Sequence, residues 1–256
     1  MKVANPRLIP VVSLIGNSAV KTKEFSQPKY VGDPANTVSL FDSFEVEELI
    51  VLNISGSFGE AGPSTSTLEQ ILENAFMPIA FGGGVQSLHD ADHLFSIGFD
   101  KVIVRSNIFD RDLMAKISGQ YGSQAVTGCL DFVWPLKNHN EIQINGSTHC
   151  VKDLPAILKR IEDYGVGELV IQDIVQDGLR TGLRTNPLLI AAVENLQIPI
   201  VAMGGCRDSD DAVDFIRKSG CHSVAASTTF MFRPTRDAVL INFPPIDKWR
   251  KEFWSA

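Results

Sequence analysis

The chain is short of positive charge. Its 256 residues carry 23 Lys and Arg against 30 Asp and Glu, for a net charge of −7. A surface of that sign does not suit nucleic acid or an anionic membrane face. Any phosphate it binds must be held locally, by backbone amides and a few cations. Long apolar runs are also missing: none approaches the ~18 residues that a membrane helix needs, and the N-terminus does not read as a signal peptide. A cytoplasmic protein is the expectation. Cysteine is scarce, and Cys129, Cys150, Cys206 and Cys221 show no paired spacing, which excludes a disulfide framework and reads as reduced thiols. Metal-ligand spacing is equally thin. His89 and His93 are four apart, but on a helix that reads as a solvated outer one, and His139, His149 and His222 have no partner spacing. Neither a metal nor a cofactor is expected.

What the chain has is a repeat. Pro199-Ile-Val-Ala-Met-Gly-Gly205 echoes Pro78-Ile-Ala-Phe-Gly-Gly-Gly84, 121 residues earlier. Each copy is a short apolar run that starts at Pro and ends in glycines, the pattern of a buried strand whose end bends sharply or lets something come close. A helical pattern follows each copy (Ser87 to Phe95, Asp208 to Ile216), then a Gly (Gly98, Gly220) and another short strand (Val102 to Val104, Val224 to Ala226). Upstream, Glu48-Leu-Ile-Val-Leu52 recurs as Glu168-Leu-Val-Ile-Gln172, and the strand at Leu8 to Leu14 has its counterpart in the run ending at Asp131. Two similar halves with four strands each, strands alternating with helices, imply parallel βαβ units. Eight such units in 256 residues predict one closed (β/α)₈ barrel rather than an open doubly wound sheet. The whole chain, 1–256, reads as one domain of two half-barrels, about 7–121 and 122–232, with a proline-rich tail at 233–256.

In such a barrel the chemistry lies just after the strands. Gly84 and Ser106 fall there in the first half; Asp177, Gly178, Gly205 and Ser227 fall there in the second. Each set joins glycine amides to hydroxyls, so the duplication predicts two phosphate pockets across one mouth and a substrate with a phosphate at each end. Asp131 ends the fifth strand, a natural place for a general acid or base. Its first-half mate is Ser13, which reads as a hydrogen-bonding or spacer residue. Ile15 to Asp33 is a long polar segment on the same face, whose Lys21 is placed to reach a phosphate. Phe132 to His149 carries turn signals at Trp134-Pro135, Lys137 to Asn140 and Asn145-Gly146 and reads as a hairpin-like excursion. At the opposite face, Arg7, Glu48, Lys101 and Glu168 stand at the starts of strands one, two, four and six. Two positive and two negative charges there have to pair if they are buried, as a purely structural layer or as something more. The prolines of the tail leave room for one short helix near Asp247 to Phe253.

From Arg7 to Phe232 the chain resembles the HisF family, the cyclase subunits of imidazole glycerol phosphate synthase. The resemblance rests on Arg7-Leu-Ile-Pro10, Val31-Gly-Asp-Pro34, Glu48-Leu-Ile-Val-Leu52, Gly82-Gly-Gly84, Tyr121-Gly-Ser-Gln-Ala125, Gly165-Val-Gly-Glu168, Asp177-Gly178, Gly204-Gly205 and Ala225-Ala-Ser227. It implies a half-barrel duplication that binds a bis-phosphorylated ribonucleotide. It also implies a docked HisH-like glutaminase whose ammonia passes through the barrel core. On that resemblance Asp131 matches one of two catalytic aspartates and Ser13 the position of the other. Gly84 and Ser106 match one phosphate site, Asp177, Gly178, Gly205 and Ser227 the second, and Lys21 the first-loop lysine. Arg7, Glu48, Lys101 and Glu168 match the gate that admits ammonia, and Asp100 a glutaminase-docking acid.

The departures from the family pattern cluster at the mouth. Ser13 stands for an Asp, Arg105 for a phosphate-binding Asn, Asn53 for an Asp, and Leu179 for a Thr. The chain therefore resembles a divergent HisF-like branch found beside surface-polysaccharide genes, which shares Gln27-Pro-Lys-Tyr-Val-Gly-Asp-Pro34. That branch implies a glutaminase and an N-sugar amidotransferase as partners, and amidination of an acetamido sugar. Two functions stay open on the sequence. One is a synthase subunit of a glutamine amidotransferase. The other is a non-catalytic scaffold that activates a glutaminase and hands ammonia to another protein. A sugar-phosphate isomerase of the related HisA type is less favoured, because that chemistry also wants a carboxylate at position 13.

Overall fold

The structure, a computed structural model, describes residues 6–56, 62–233 and 238–254. The centre of the Gly/Ser-rich stretch from Ser55 to Ser64 and Pro234 of the tail lie outside the described residues. Eight parallel strands close on themselves: β1 (Arg7–Ile15), β4 (Leu49–Asn53), β5 (Ile79–Gly82), β6 (Lys101–Val104), β7 (Val126–Val133), β10 (Glu168–Asp173), β11 (Ile200–Met203) and β12 (Ser223–Ala226). Each pairs with the next, β7 pairs with β10, and β12 pairs back to β1. Helices alternate with them: α1 (Pro34–Ser43), α2 (Thr65–Glu73), α3 (Leu88–Ile97), α4 (Arg111–Tyr121), α5 (Leu154–Asp163), α6 (Pro187–Asn195) and α7 (Ser209–Ser219). The fold is a (β/α)₈ barrel.

Strand alternation divides the apolar residues between two cores. On β1, Ile9 and Val11 join the inner cluster with Ile50, Ile103 and Val170, whereas Leu8, Val12 and Leu14 join the layer between strands and helices. Helix starts are set by local polar chemistry. Ser87 and Asp90 form a reciprocal capping box at α3, and the Asp208 carboxylate accepts from the Asp211 amide (2.8 Å) at α7.

Two excursions decorate the mouth. The segment predicted as a long loop after the first strand is instead a hairpin, β2 (Ser18–Lys23) and β3 (Ser26–Gly32), with β2 antiparallel to the end of β1. Ala19, Val20, Lys21 and Thr22 are all buried, so β2 is covered on both faces, and the reversal falls where Glu24 and Phe25 adopt positive φ (50° and 55°). The excursion after Asp131 forms β8 (Glu141–Ile144) and β9 (Ser147–Cys150), turning at Asn145-Gly146 as the turn signals predict. After a one-turn α8 (Thr228–Met231) and the short ladder of β13 (Phe232–Arg233) and β14 (Ala238–Val239), α9 (Ile246–Trp254) supplies the last outer helix. It packs beside α7 and buries Trp249.

Two glycines of the repeat earn their place in the same way. A Cβ on Gly83 (φ +94°) would collide with the carbonyl of Asn53, and one on Gly204 (φ +99°) with the carbonyl of Asp173. Each strand end therefore presses against the backbone of its neighbour. Gly83→Ala and Gly204→Ala are expected to cost about 3 kcal/mol each. Gly16→Ala, at φ +51° with open space around it, should cost about 1 kcal/mol. Urea unfolding of the three variants checks the ranking.

Candidate functional site

At the strand starts, Arg7, Glu48, Lys101 and Glu168 form a closed ring inside the barrel. The Arg7 guanidinium donates to both Glu48 and Glu168. The Lys101 ammonium donates to the same two, at 2.7 and 3.1 Å. Arg7 Nε also reaches Ser223 Oγ at 3.1 Å. Both carboxylates are buried. Burial alone would push the Glu168 carboxyl up, but Arg7 and Lys101 outweigh it and hold Glu168 below the usual carboxylate range. Burial likewise opposes the charge on Arg7, and the two glutamates still raise its pKa. Asp100 lies at the same end of the barrel, exposed, with Oδ2 accepting from the Ile79 amide at 2.9 Å.

At the other end, Asp131 is fixed from three sides. Arg105 Nη1 donates to its Oδ2 at 2.8 Å, the Cys129 thiol lies 3.6 Å from its Oδ1, and its backbone amide donates to Asn145 Oδ1 at 2.8 Å. Asn145 Nδ2 in turn donates to the Arg105 carbonyl at 3.1 Å. One turn residue of the β8–β9 hairpin thus clamps the backbones on which the ion pair is mounted. A sequence reading finds Asn145 as a turn former, and nothing in it signals this second role. Burial pushes the Cys129 thiol well up, so it is a neutral donor and not a nucleophile. Ser13 is buried on β1, in register with Leu52 and Val20, and lines neither of the pockets described below.

The residues that sequence assigns to phosphate fall into two separate pockets. Gly84 and Ser106 line a cavity of about 540 Å³ together with Arg105, Asp131, Asn53 and Gln172. Asp177, Gly178, Gly205 and Ser227 line a narrower one with Gly204, Thr228 and Arg180. Arg180 is the cation that sequence reasoning passes over. Its guanidinium donates to the carbonyls of Arg207 and Phe232, and it has no carboxylate partner among the described residues. The Ser227 hydroxyl is buried without a protein partner. A neutral-anchored guanidinium, glycine backbone and an unsatisfied hydroxyl make this pocket suited to an anion. Lys21 lines neither pocket; it is buried with its ammonium 3.7 Å from the centre of the Phe232 ring. Among the described residues no group of His, Cys, Asp and Glu could hold a metal ion.

The β2–β3 hairpin reaches across the mouth. Glu24 and Phe25 line the larger cavity, the Glu24 amide donates to the Asp177 carbonyl at 2.9 Å, and Thr22 Oγ1 donates to the Asp177 carboxyl at 3.2 Å. Gly178 permits this approach, because a Cβ there would strike the Thr22 carbonyl. Burial pushes the Asp177 carboxyl up to about 6; the bonds from Thr22 and the Phe25 backbone pull the other way, and Asp131 adds to the rise. The folded state therefore holds this proton more tightly than the unfolded chain. The stabilisation is full below about pH 4 and is lost as pH rises through about 6. Asp177→Asn should remove that dependence. Thermal unfolding is expected to show the variant gaining on the wild type between pH 4 and 7, by about 1–3 kcal/mol at the upper end.

Comparison with known proteins places this geometry. The profile of the family described as "Histidine biosynthesis protein" matches residues 7–235. The chain is 33% identical to a Pseudomonas aeruginosa protein provisionally named imidazole glycerol phosphate synthase subunit hisF2, over 94% of this chain and 97% of that one. It is 34% identical to a Leptospira borgpetersenii protein provisionally named as subunit HisF, over 93% and 95% of the two chains. It is 32% identical to the imidazole glycerol phosphate synthase subunit HisF of Lacticaseibacillus casei, over 88% and 90%. With a closed barrel, a match along almost all of it and full-length relatives on every side, the chain belongs to the histidine biosynthesis protein family, as a divergent HisF-like member.

Proposed function

We propose that this protein is the synthase subunit of a glutamine amidotransferase. A HisH-like glutaminase docks at the end of the barrel that carries Asp100 and the charged ring, and ammonia crosses the barrel core to an acceptor bound at the mouth. The observation that carries the reading is the ring of Arg7, Glu48, Lys101 and Glu168. It is the polar end of an interior that is otherwise apolar up to Asp131, built from residues such as Ile9, Ile50, Ile103 and Val170. An apolar bore suits a small neutral molecule, and a ring of paired charges suits a gate that opens when one pair is exchanged for contacts with a partner. Phe76, 86% exposed just before β5, gives the docking face an apolar anchor.

At the mouth, two pockets carry the residues expected at phosphate sites, and Asp131 lines the larger, which fits a ligand with phosphate at both ends. The acceptor is a bis-phosphorylated ribotide or, in the specialised branch, the N-acyl group of a sugar that a partner amidotransferase presents. In the first case Asp131 works as general acid and base alone, since Ser13 supplies no carboxylate. A specific observation favours the scaffold reading as second: Arg105 occupies Asp131 Oδ2 (2.8 Å), which competes with proton transfer to a substrate. Supply of ammonia to a separate amidotransferase needs no such transfer.

The deciding assay follows imidazole glycerol phosphate formation from the bis-phosphorylated ribotide with excess ammonium. The wild type is expected to be slow, and Ser13→Asp combined with Arg105→Asn should raise the rate by roughly 10²–10⁴. No gain from the pair would remove the cyclase reading and leave ammonia delivery. The gate is tested separately with Lys101→Met, which should depress glutamine-dependent activity of the complex more than ammonium-dependent activity. Removing one partner of a buried ion pair should also cost about 3–5 kcal/mol of stability. Equal loss with both nitrogen sources would count against a gate.

A further inference from the structure

Gln172 has no part in the chemistry above, yet it occupies the floor of the larger cavity. It lies on β10 directly across from Asp131 on β7 in the strand register, and it is only 3% exposed. Its Oε1 faces the Cys129 thiol at 3.9 Å. Its Nε2 is buried with no protein partner among the described residues. An unmade hydrogen bond of that kind costs stability, and a leucine of similar size would avoid the cost. A side chain that burdens the fold and lines a cavity beside the site acid is explained by what it would bind.

The geometry restricts the ligand group. Gln172 offers a donor, and Asp131, one strand away at about 4.8 Å, offers acceptor lone pairs beyond those used by Arg105 and Cys129. A donor and an acceptor side by side match the C=O and N–H edges of an amide. A carboxylate in the same place would set its charge against Asp131, whose own charge is already matched by Arg105, and would give the Asp131 acceptor no N–H. Leu52, Ile103, Ile174 and Val175 give the cavity apolar wall, and Asn53, Arg105 and Ser106 add polar groups to it. We propose that Gln172 and Asp131 form a subsite for a neutral amide, either a carboxamide or an N-acyl group, and that Gln172 sets the preference for amide over carboxylate. Gly84 and Ser106 at the rim leave a phosphate on the same ligand within reach. The assignment rests on the reading of the mouth as an acceptor site.

Calorimetric titration with matched probes tests it. One pair is 5-aminoimidazole-4-carboxamide ribonucleotide and its 4-carboxylate counterpart. The other is N-acetylglucosamine 1-phosphate and glucosamine 1-phosphate. The wild type should bind the amide member of at least one pair about tenfold more tightly or better, and the pair that responds identifies the source of the amide. Gln172→Leu should lose the preference while its melting temperature holds or rises; Gln172→Glu should weaken amide binding further. Absence of any preference in both pairs, absence of binding by all four probes, or a preference that survives in Gln172→Leu would overturn the proposal. Inorganic phosphate as competitor separates the two readings. If it fails to displace a probe whose amide preference is intact, the phosphate assignment falls and the amide subsite stands.

Discussion

A carboxylate taken out of water must be neutralised or must keep its proton, and the interior of this barrel is arranged around that constraint. Glu48 and Glu168 share Arg7 and Lys101 in a closed ring. Asp131 is paired with Arg105 and Asp173 with Arg184. Outside the barrel wall, Arg250 of α9 pairs with Glu47, next in sequence to the ring. Asp177 is the exception: among the described residues no cation pairs with it, and its carboxyl rises to about 6. The ring links the starts of β1, β4, β6 and β10 across the barrel, while the strand ladder itself closes the wall.

The two ends of the barrel differ in how fully their charges are matched. The strand-start end has a complete set of complementary charges. At the mouth, Asp131 is paired with the Arg105 cation, and the first strand carries Ser13 rather than a second carboxylate. On the resemblance, we infer a shift of the mouth from paired acid–base groups toward recognition, with a half-exposed ion pair, an amide donor and two polar pockets. That shift is where the catalytic and the ammonia-delivering readings part.

Most of the fold was legible because period and repeat are local or long-range properties of the chain itself. The 121-residue echo, the alternation of short strands with helical patterns and the Asn145-Gly146 turn all appear as such in the structure. The β2–β3 hairpin was not legible. Its polar strands lack an apolar run, and its pairing depends on the end of β1 extending past the barrel rim. At the site, the residue types after the strands marked both pockets, and the four strand-start charges were legible as a set that had to pair. Three features lay beyond such reasoning: the Asn145 clamp, the carbonyl-anchored Arg180 and the unpartnered amide of Gln172. Each depends on which atom of a polar side chain meets which neighbour, and residue spacing carries no information about that.

The docking of the β2–β3 hairpin on Asp177 and Gly178 has an evolutionary consequence. Its closest contacts run through main-chain atoms: the Glu24 amide on the Asp177 carbonyl, and the Thr22 carbonyl against the bare α-carbon of Gly178. Main-chain contacts are indifferent to most side-chain replacements. The hairpin can therefore change its exposed Lys23 and Lys29, its Phe25 or its charge without losing its position over the mouth. A lid tethered in this way is free to be re-lettered for a new ligand while the barrel beneath it stays the same, which is a low-cost route to new acceptor specificity within one fold.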